Sequence, residues 1–242
     1  MRSRLRTILC ALLAAPTLVL AQAASEPQAA AEPVRQLVVY VMPYYSAGDT
    51  FAAAPKVAVD PLYDALLAST DVADIRKARD AIAAKPNLVS PETMMVLAIR
   101  LYDVGLRDDA LFWFYAGRDR FLTMDAVLDM RSLRLVREAD TVTRFVEALG
   151  PAMDGYALCD VVRHGEREDR AIAWVAAHPY KLLGYSDLPA QSEDRNAALA
   201  HAVNRLRELS QNNQALLAKP EAQAQLAEAR KKTQADVRFC WK

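Results

Sequence analysis

The histidines have the widest chemical repertoire in this sequence, and there are three of them: His164, His178 and His201. Imidazoles bind metals or act as general bases when they stand at defined spacings from each other or from acidic residues. None of the three lies in HExxH or another metal-ligand spacing. His164 and His178 directly precede Gly165 and Pro179, so we expect both to lie at C-terminal helix ends, and we expect His201 to be partly exposed. The sequence therefore predicts no metal site.

Motifs for nucleophilic or phosphate chemistry are missing from the sequence as well. It contains no GxSxG, SxxK, GxGxxG or P-loop pattern. Residues 166–170 read Glu-Arg-Glu-Asp-Arg, and alternating charges at a helix start favour a solvated, salt-bridged turn over a pair of catalytic carboxylates. Cys159 and His164 lack a third residue to orient them as nucleophile and base. We expect no catalytic residues, no cofactor and no enzyme activity.

The start of the chain has the three parts of a secretory signal peptide. Three arginines within the first six residues precede an uncharged apolar run at 8–20, and the cleavage-site pattern Ala-Gln-Ala follows at 21–23. The run is too short to span a hydrocarbon core about 30 Å thick. We therefore expect residues 1–23 to be cleaved after Ala23. The mature protein is then periplasmic or secreted, without membrane insertion.

The cysteines of the mature chain predict a disulfide. Cleavage after residue 23 removes Cys10 and leaves Cys159 and Cys240, an even number in a compartment that favours oxidation. Such a bond would close a loop of about 80 residues and contribute about 4 kcal/mol to stability in the chain-entropy account.

Composition and charge restrict the class of partner. The chain has 242 residues, of which 53% are hydrophobic, with thirty basic and thirty acidic side chains. Loss of residues 1–23 removes three arginines and no acid, which leaves a formal charge of −3. Nucleic-acid binding requires a basic footprint, so we expect no nucleic-acid partner. The apolar content suffices for one packed domain.

The N-terminal part of the mature chain contains a linker and two extended segments. Residues 24–36 are rich in Ala, Glu and Pro without apolar periodicity, which is typical of a flexible linker. Two short runs are rich in β-branched residues: 37–42, which ends before a proline, and 56–59, which lies between two prolines. We expect both to be extended segments that either pair with each other or remain extended loop.

Beyond these runs, the sequence predicts an all-α fold within a single domain at 37–242. Asp71 and Ser90 are expected to cap helices, and Gly150 followed by Pro151 predicts a helix stop. About ten helices follow from such signals, and one of them is expected from Met124 to about residue 137. The last one, from Glu221, is almost wholly Ala, Gln, Glu and Lys, so we expect it to be largely exposed.

Aromatic residues are the remaining candidates for a binding surface. Residues 111–115 read Leu-Phe-Trp-Phe-Tyr, which presents apolar surface all round a helix. Such a helix is either central in the core or has one face against a ligand, and in the second case Phe112 and Tyr115 would line a groove. Tyr44 and Tyr45 follow a proline in a loop-like stretch and are further candidate partner-binding residues, because loops often carry them.

Residues 97–117 carry a spaced pattern of leucine, small and aromatic residues. The matching positions are Leu97, Ala98, Leu101, Tyr102, Gly105, Ala110, Phe114 and Gly117. This pattern resembles a tetratricopeptide or Sel1-type repeat, and residues 161–174 echo it with one extra residue after the glycine. The resemblance covers about residues 90–180. It implies antiparallel helix pairs in a repeat-like array with a concave face for a protein or peptide, and an irregular bundle is the alternative.

These features together predict an exported, non-enzymatic helical protein that binds a protein or peptide as a scaffold or adaptor. One alternative is a periplasmic immunity protein that inhibits an antibacterial toxin, which fits the size, the export signal and the lack of catalytic motifs. A further alternative from another class is a hydrolase with an unrecognised site.

Overall fold

Most of the residues described in the computed structural model, which are 31–50 and 53–241, lie in helices. The predicted signal peptide and the first part of the predicted linker, at 24–30, lie outside the described residues. From Ala31 onward the chain forms one unit by its internal contacts. None of the helices in these ranges combines the length and the apolar character that crossing a membrane requires.

Three two-residue strands come first, followed by the helices. The strands are β1 (Tyr40–Val41), β2 (Tyr45–Ser46) and β3 (Lys56–Val57). The helices in the described ranges are α1 (Asp64–Ala68), α2 (Val72–Ala83), α3 (Pro91–Asp103), α4 (Arg107–Val127), α5 (Val136–Ala157), α6 (Val161–Ala177), α7 (Arg195–Leu217), α8 (Pro220–Thr233) and α9 (Ala235–Phe239). A 3-10 turn at Lys181–Gly184 lies between α6 and α7.

The strands form one antiparallel sheet in the order β1-β2-β3. Tyr40 lies opposite Ser46, and Tyr45 lies opposite Val57. Both runs that the sequence marks as extended therefore belong to the same sheet. They do not pair with each other, because β2 lies between them.

Local capping signals place several helix ends where the sequence predicts them. The Asp71 carboxylate accepts a hydrogen bond from the backbone N–H of Ala73, and the Ser90 hydroxyl accepts one from Thr93. Each bond satisfies a donor that the first turn of a helix leaves free. Gly105 has a φ of +82° just after α3. Glycine tolerates this left-handed conformation, which lets the chain reverse into α4.

Helix α3 is the centre of the fold, since all its residues from Pro91 to Tyr102 are buried. Helix α4 packs along it in the antiparallel direction. Gly117 on α4 lies against the start of α3, where an added Cβ would come within 3.1 Å of the Met94 Cβ. The first repeat-like unit thus forms a close helix pair, while its echo at 161–174 lies within the single helix α6. The repeat-like array stays a prediction.

The predicted stop at Gly150 and Pro151 is wrong, because α5 continues through both residues. A proline inside a helix removes one backbone hydrogen bond and costs about 3 kcal/mol. Here Pro151 faces solvent, and the buried stripe of α5 continues past it from Phe145 and Leu149 to Met153. Burial of that stripe outweighs the local cost.

Two further helix boundaries differ from the prediction. His164 and Gly165 do not end a helix but lie within α6, where an added Cβ at Gly165 would come within 2.7 Å of the Gln214 side chain of α7. The glycine therefore serves a close helix approach and not a turn. The helix expected from Met124 to about residue 137 is also wrong, because α4 includes Met124 and the chain leaves helical structure at 128–135.

The predicted disulfide between Cys159 and Cys240 is confirmed. It ties α9 and the end of the chain to the end of α5. Arg107 adds a second tie, since its guanidinium donates to the carbonyl oxygens of Phe239, at 2.9 Å, and Trp241. Helix α8, which precedes this segment, has no buried residue.

The end of the predicted linker is held by the same C-terminal segment. The backbone N–H of Val34 donates to the Arg238 carbonyl at 2.9 Å, and the Tyr102 hydroxyl donates to the Val34 carbonyl at 3.0 Å. Residues 31–36 are therefore bonded to the body of the protein, which corrects the expectation of a flexible linker for this part.

Candidate functional site

The aromatic run of α4 belongs to the core. Trp113, Phe114 and Tyr115 are buried, and Phe112 is half-buried against Trp113 and Trp174. The expectation that Tyr115 borders an open groove is wrong, because its side chain is 0% exposed. Phe112 keeps a partly exposed ring, and a binding role for it stays a prediction.

The two tyrosines after Pro43 lie at different depths. Tyr44 is half-buried, whereas Tyr45 is 1% exposed and packs in the main core from β2. Burial raises the pKa of the Tyr45 hydroxyl. The proposed contact role for Tyr45 is therefore wrong in this arrangement, because its side chain is on the helix-covered face of the sheet. Tyr44 stays a candidate.

A buried cluster of charged residues joins α4 to α6. The Arg118 guanidinium donates to Asp119 Oδ1 and to Glu168 Oε1, both at 2.9 Å. Asp119 is 0% exposed and Glu168 6% exposed. The sequence expectation of a solvated turn at 166–170 is thus wrong for Glu168, which pairs with a residue fifty positions earlier.

His164 and Tyr115 lie beside this cluster. A hydrogen bond of 3.2 Å joins the Tyr115 hydroxyl to His164 Nδ1, and the Arg118 guanidinium lies 4.8 Å from the centre of the Tyr115 ring. Burial raises the pKa of Asp119 to about 6, against the opposing effect of Arg118, and burial lowers the pKa of His164. Such perturbed groups are typical of active sites and of structural ion pairs alike. Tyr115 and Asp119 are fully enclosed, and the bonds of Tyr115 and Arg118 to His164 and Glu168 link α4 to α6.

We expect His164 to make the stability of the protein depend on pH. Its folded-state pKa lies below that of the unfolded chain, so the unfolded state takes up the proton first as the pH falls below about 6.5. When the pH is lowered from neutral to below 6.5, the free energy of unfolding should therefore fall less in His164→Gln than in the wild type. Urea unfolding across this pH range measures the difference. His201→Gln, at an exposed position on α7, is the matched control, and an equal pH dependence of wild type and His164→Gln contradicts the assignment.

The N-terminal sheet presents an apolar face to solvent. Along 37–42 the side chains alternate: Leu37, Val39 and Val41 are at most 5% exposed, whereas Val38, Tyr40 and Met42 are 69%, 54% and 58% exposed. A strand with one buried face normally carries polar residues on its other face. The burial alternates with a period of two, but the sequence shows no such alternation, because all six residues of the run are apolar.

The backbone of β1 is also open on one side. The carbonyls of Val39 and Val41 accept hydrogen bonds from Ala47 and Tyr44, on the β2 side. Because bonding direction alternates along a strand, the N–H and C=O groups of Val38 and Tyr40 point to the opposite side. In the part of the chain that the structure describes, no other backbone group bonds to them. We call these backbone groups, with the exposed side chains of Val38, Tyr40 and Met42, the β1 edge.

A buried ion pair on α3 fixes the position of the β1 edge. Asp103 accepts a bond from the Leu37 N–H at 2.8 Å and one from Arg100 at 2.7 Å. Arg100 also donates to the carbonyls of Leu67 and Ser69. Burial raises the pKa of Asp103 to about 7, although the Leu37 N–H and Arg100 oppose the shift. Since both partners are nearly enclosed, the start of the strand has one fixed place on the helical body.

The described residues contain no cluster of three or more His, Cys, Asp or Glu side chains arranged to hold a metal ion. What the structure does offer is a mostly helical body with an exposed strand edge.

The chain is similar to a protein of Haemophilus influenzae that is described as uncharacterized. The two are 32% identical over 210 residues, and this match covers 87% of this chain and 81% of the relative. The chain belongs to the same family as that protein. No protein-family model and no solved structure matches the present chain.

Proposed function

We propose that the protein is an exported, non-enzymatic adaptor that binds an extended segment of a partner protein along the β1 edge. The observation that carries this proposal is the set of backbone donors and acceptors at Val38 and Tyr40 to which no backbone group of residues 31–50 and 53–241 bonds, beside exposed apolar side chains. An added strand would pair with those groups through its main chain. Its alternate side chains would cover Val38, Tyr40 and Met42.

Apart from the shortness of the two-residue strand, the β1 edge lacks the protection that sheet edges usually have. Proteins guard open edges with lysines, prolines, bulges or covering loops, because bare edges invite pairing with other chains. Residues 37–42 contain neither charge nor proline, and Pro43 comes only where the strand has ended. An unguarded apolar edge on a fixed strand is therefore suited to recognition.

Export is the second part of the proposal and is supported by the disulfide. Bonded cysteines persist in oxidising compartments such as the periplasm and are rare in the cytosol. The Cys159–Cys240 bond accordingly agrees with the secretory signal expected at 1–23.

Tyr40→Pro is expected to abolish strand addition. Proline removes the outward N–H and places its ring at the edge. The fold should tolerate it, because no backbone group of residues 31–50 and 53–241 accepts a bond from that N–H. We expect retention of the partner from a periplasmic extract to fall about tenfold or more, since a backbone pair and its apolar cover are lost together. Mass spectrometry of the proteins retained by immobilised wild type and variant measures this.

Two control variants distinguish backbone pairing from nonspecific binding to apolar surface. Tyr40→Thr keeps the N–H and introduces a β-branched side chain that suits a strand, so it should retain part of the binding. Val162→Thr makes an apolar side chain polar at a position on α6 that is 78% exposed, and this variant should retain all of the binding. With the captured partner bound, the amides of Val38 and Tyr40 should exchange hydrogen more slowly. A partner that Tyr40→Pro retains as well as the wild type, without such protection, contradicts the proposal.

A further inference from the structure

A second surface feature lies between α7 and the segment that follows α6. Two adjoining pockets of about 290 and 380 Å³ border the first half of α7, and both are lined by Asn196 and Leu199. Because they share these residues, the pockets adjoin along α7, and we call the two together the α7 groove. It involves none of the residues of the β1 edge.

The charge of the α7 groove has one sign. Its lining includes Lys181, Arg195 and Arg207 and no acidic residue, while Leu183 and Leu199 supply apolar surface. None of the three cations takes part in an ion pair among residues 31–50 and 53–241. A groove with several cations and no counter-charge has a positive potential that attracts anionic groups.

The neighbouring polar groups leave this charge in place. Arg195 donates to the carbonyls of Leu183, Tyr185 and Leu188, which fix its guanidinium without neutralising it. The carboxylate next to it, Asp194, caps α7 by accepting from the Ala197 N–H.

The length of the α7 groove fits a short extended peptide. Asn196 and Asn204 line it two helical turns apart, which corresponds to about 12 Å along the axis. An extended chain advances about 3.3 Å per residue, so about four residues span this distance. Side-chain amides at both ends provide donors and acceptors for peptide groups.

We infer that the α7 groove binds an acidic, extended segment of a partner protein. Carboxylates of the segment meet Lys181, Arg195 and Arg207, and its apolar side chains rest on Leu183 and Leu199. The groove thereby gives the adaptor a second contact whose selectivity rests on charge, whereas the β1 edge selects apolar strands.

Fluorescence anisotropy with a labelled peptide of about eight alternating Glu and Leu residues tests this inference. The purified protein should bind the peptide, more weakly at high salt, and should not bind the matching Lys and Leu peptide. Lys181→Glu combined with Arg207→Glu should weaken binding about tenfold or more, because both attractive contacts become repulsive.

The matched control is Lys85→Glu combined with Arg205→Glu, which changes the net charge equally at exposed positions outside the groove. It should leave the affinity for the Glu and Leu peptide within about twofold of the wild type. An equal loss in the control variant overturns the inference. So does equally strong binding of the Lys and Leu peptide, or of an oligonucleotide with the same charge as the acidic peptide.

Discussion

Replacing Cys159 and Cys240 together by serine is expected to lower the free energy of unfolding by about 4 kcal/mol. The bond joins residues 81 positions apart, so it removes many conformations from the unfolded chain. Its loss also frees the end of the chain that packs Phe239 against Gly155. Urea unfolding of the oxidised wild type and of the double variant measures the difference.

Reductant provides the internal control for this experiment. It should destabilise the wild type by about the same amount as the double substitution and should leave the double variant unchanged. Hydrogen exchange should report the largest gain at 235–241, the segment that the bond anchors. An unfolding midpoint equal to that of the wild type in the double variant would mean that the bond contributes nothing to stability.

Tyr115→Ala is expected to cost about 3 to 5 kcal/mol, because a fully enclosed ring is removed and the core collapses only in part. Tyr115 lies in the main core beside Phe114 and carries the hydrogen bond to His164. Thermal and urea unfolding measure the loss.

Two variants show whether the loss comes from burial. Tyr115→Phe keeps the ring and removes only the hydroxyl, so it should cost about 1 kcal/mol. Phe112→Ala removes the half-buried neighbour and should cost less than Tyr115→Ala. If Tyr115→Ala is instead the milder of the two, Tyr115 does not hold the core and the packing assigned to α4 is wrong.

Features that depend on neighbouring residues were predictable from the sequence. The caps at Asp71 and Ser90 and the left-handed turn at Gly105 each depend on hydrogen bonds or dihedral angles within four residues. The pairing of Cys159 with Cys240 followed from counting the cysteines that remain after residue 23, because two thiols in an oxidising compartment have only one intramolecular pairing.

Features that depend on distant partners were not predictable. Pro151 and Gly165 are helix-ending signals on their own, yet both lie inside helices because buried residues of α5 and the approach of α7 favour continuation. The sequence predicts a solvated Glu168, but its carboxylate is buried and accepts a hydrogen bond from Arg118. Arg120 likewise is 0% exposed and is held by the carbonyls of Pro86, Val89 and His178, none of which is near it in sequence.

The β1 edge combines both kinds of information. The extended, apolar character of residues 37–42 could be predicted from the sequence, since β-branched residues and a following proline are local signals. The bond between Leu37 and Asp103 and the position of β2 on one side of β1 follow only from the folded arrangement. Within the described residues, that arrangement also leaves the backbone groups of Val38 and Tyr40 without a backbone partner. A strand carries bonding groups on both sides, and which side stays free depends on contacts between residues far apart in the chain.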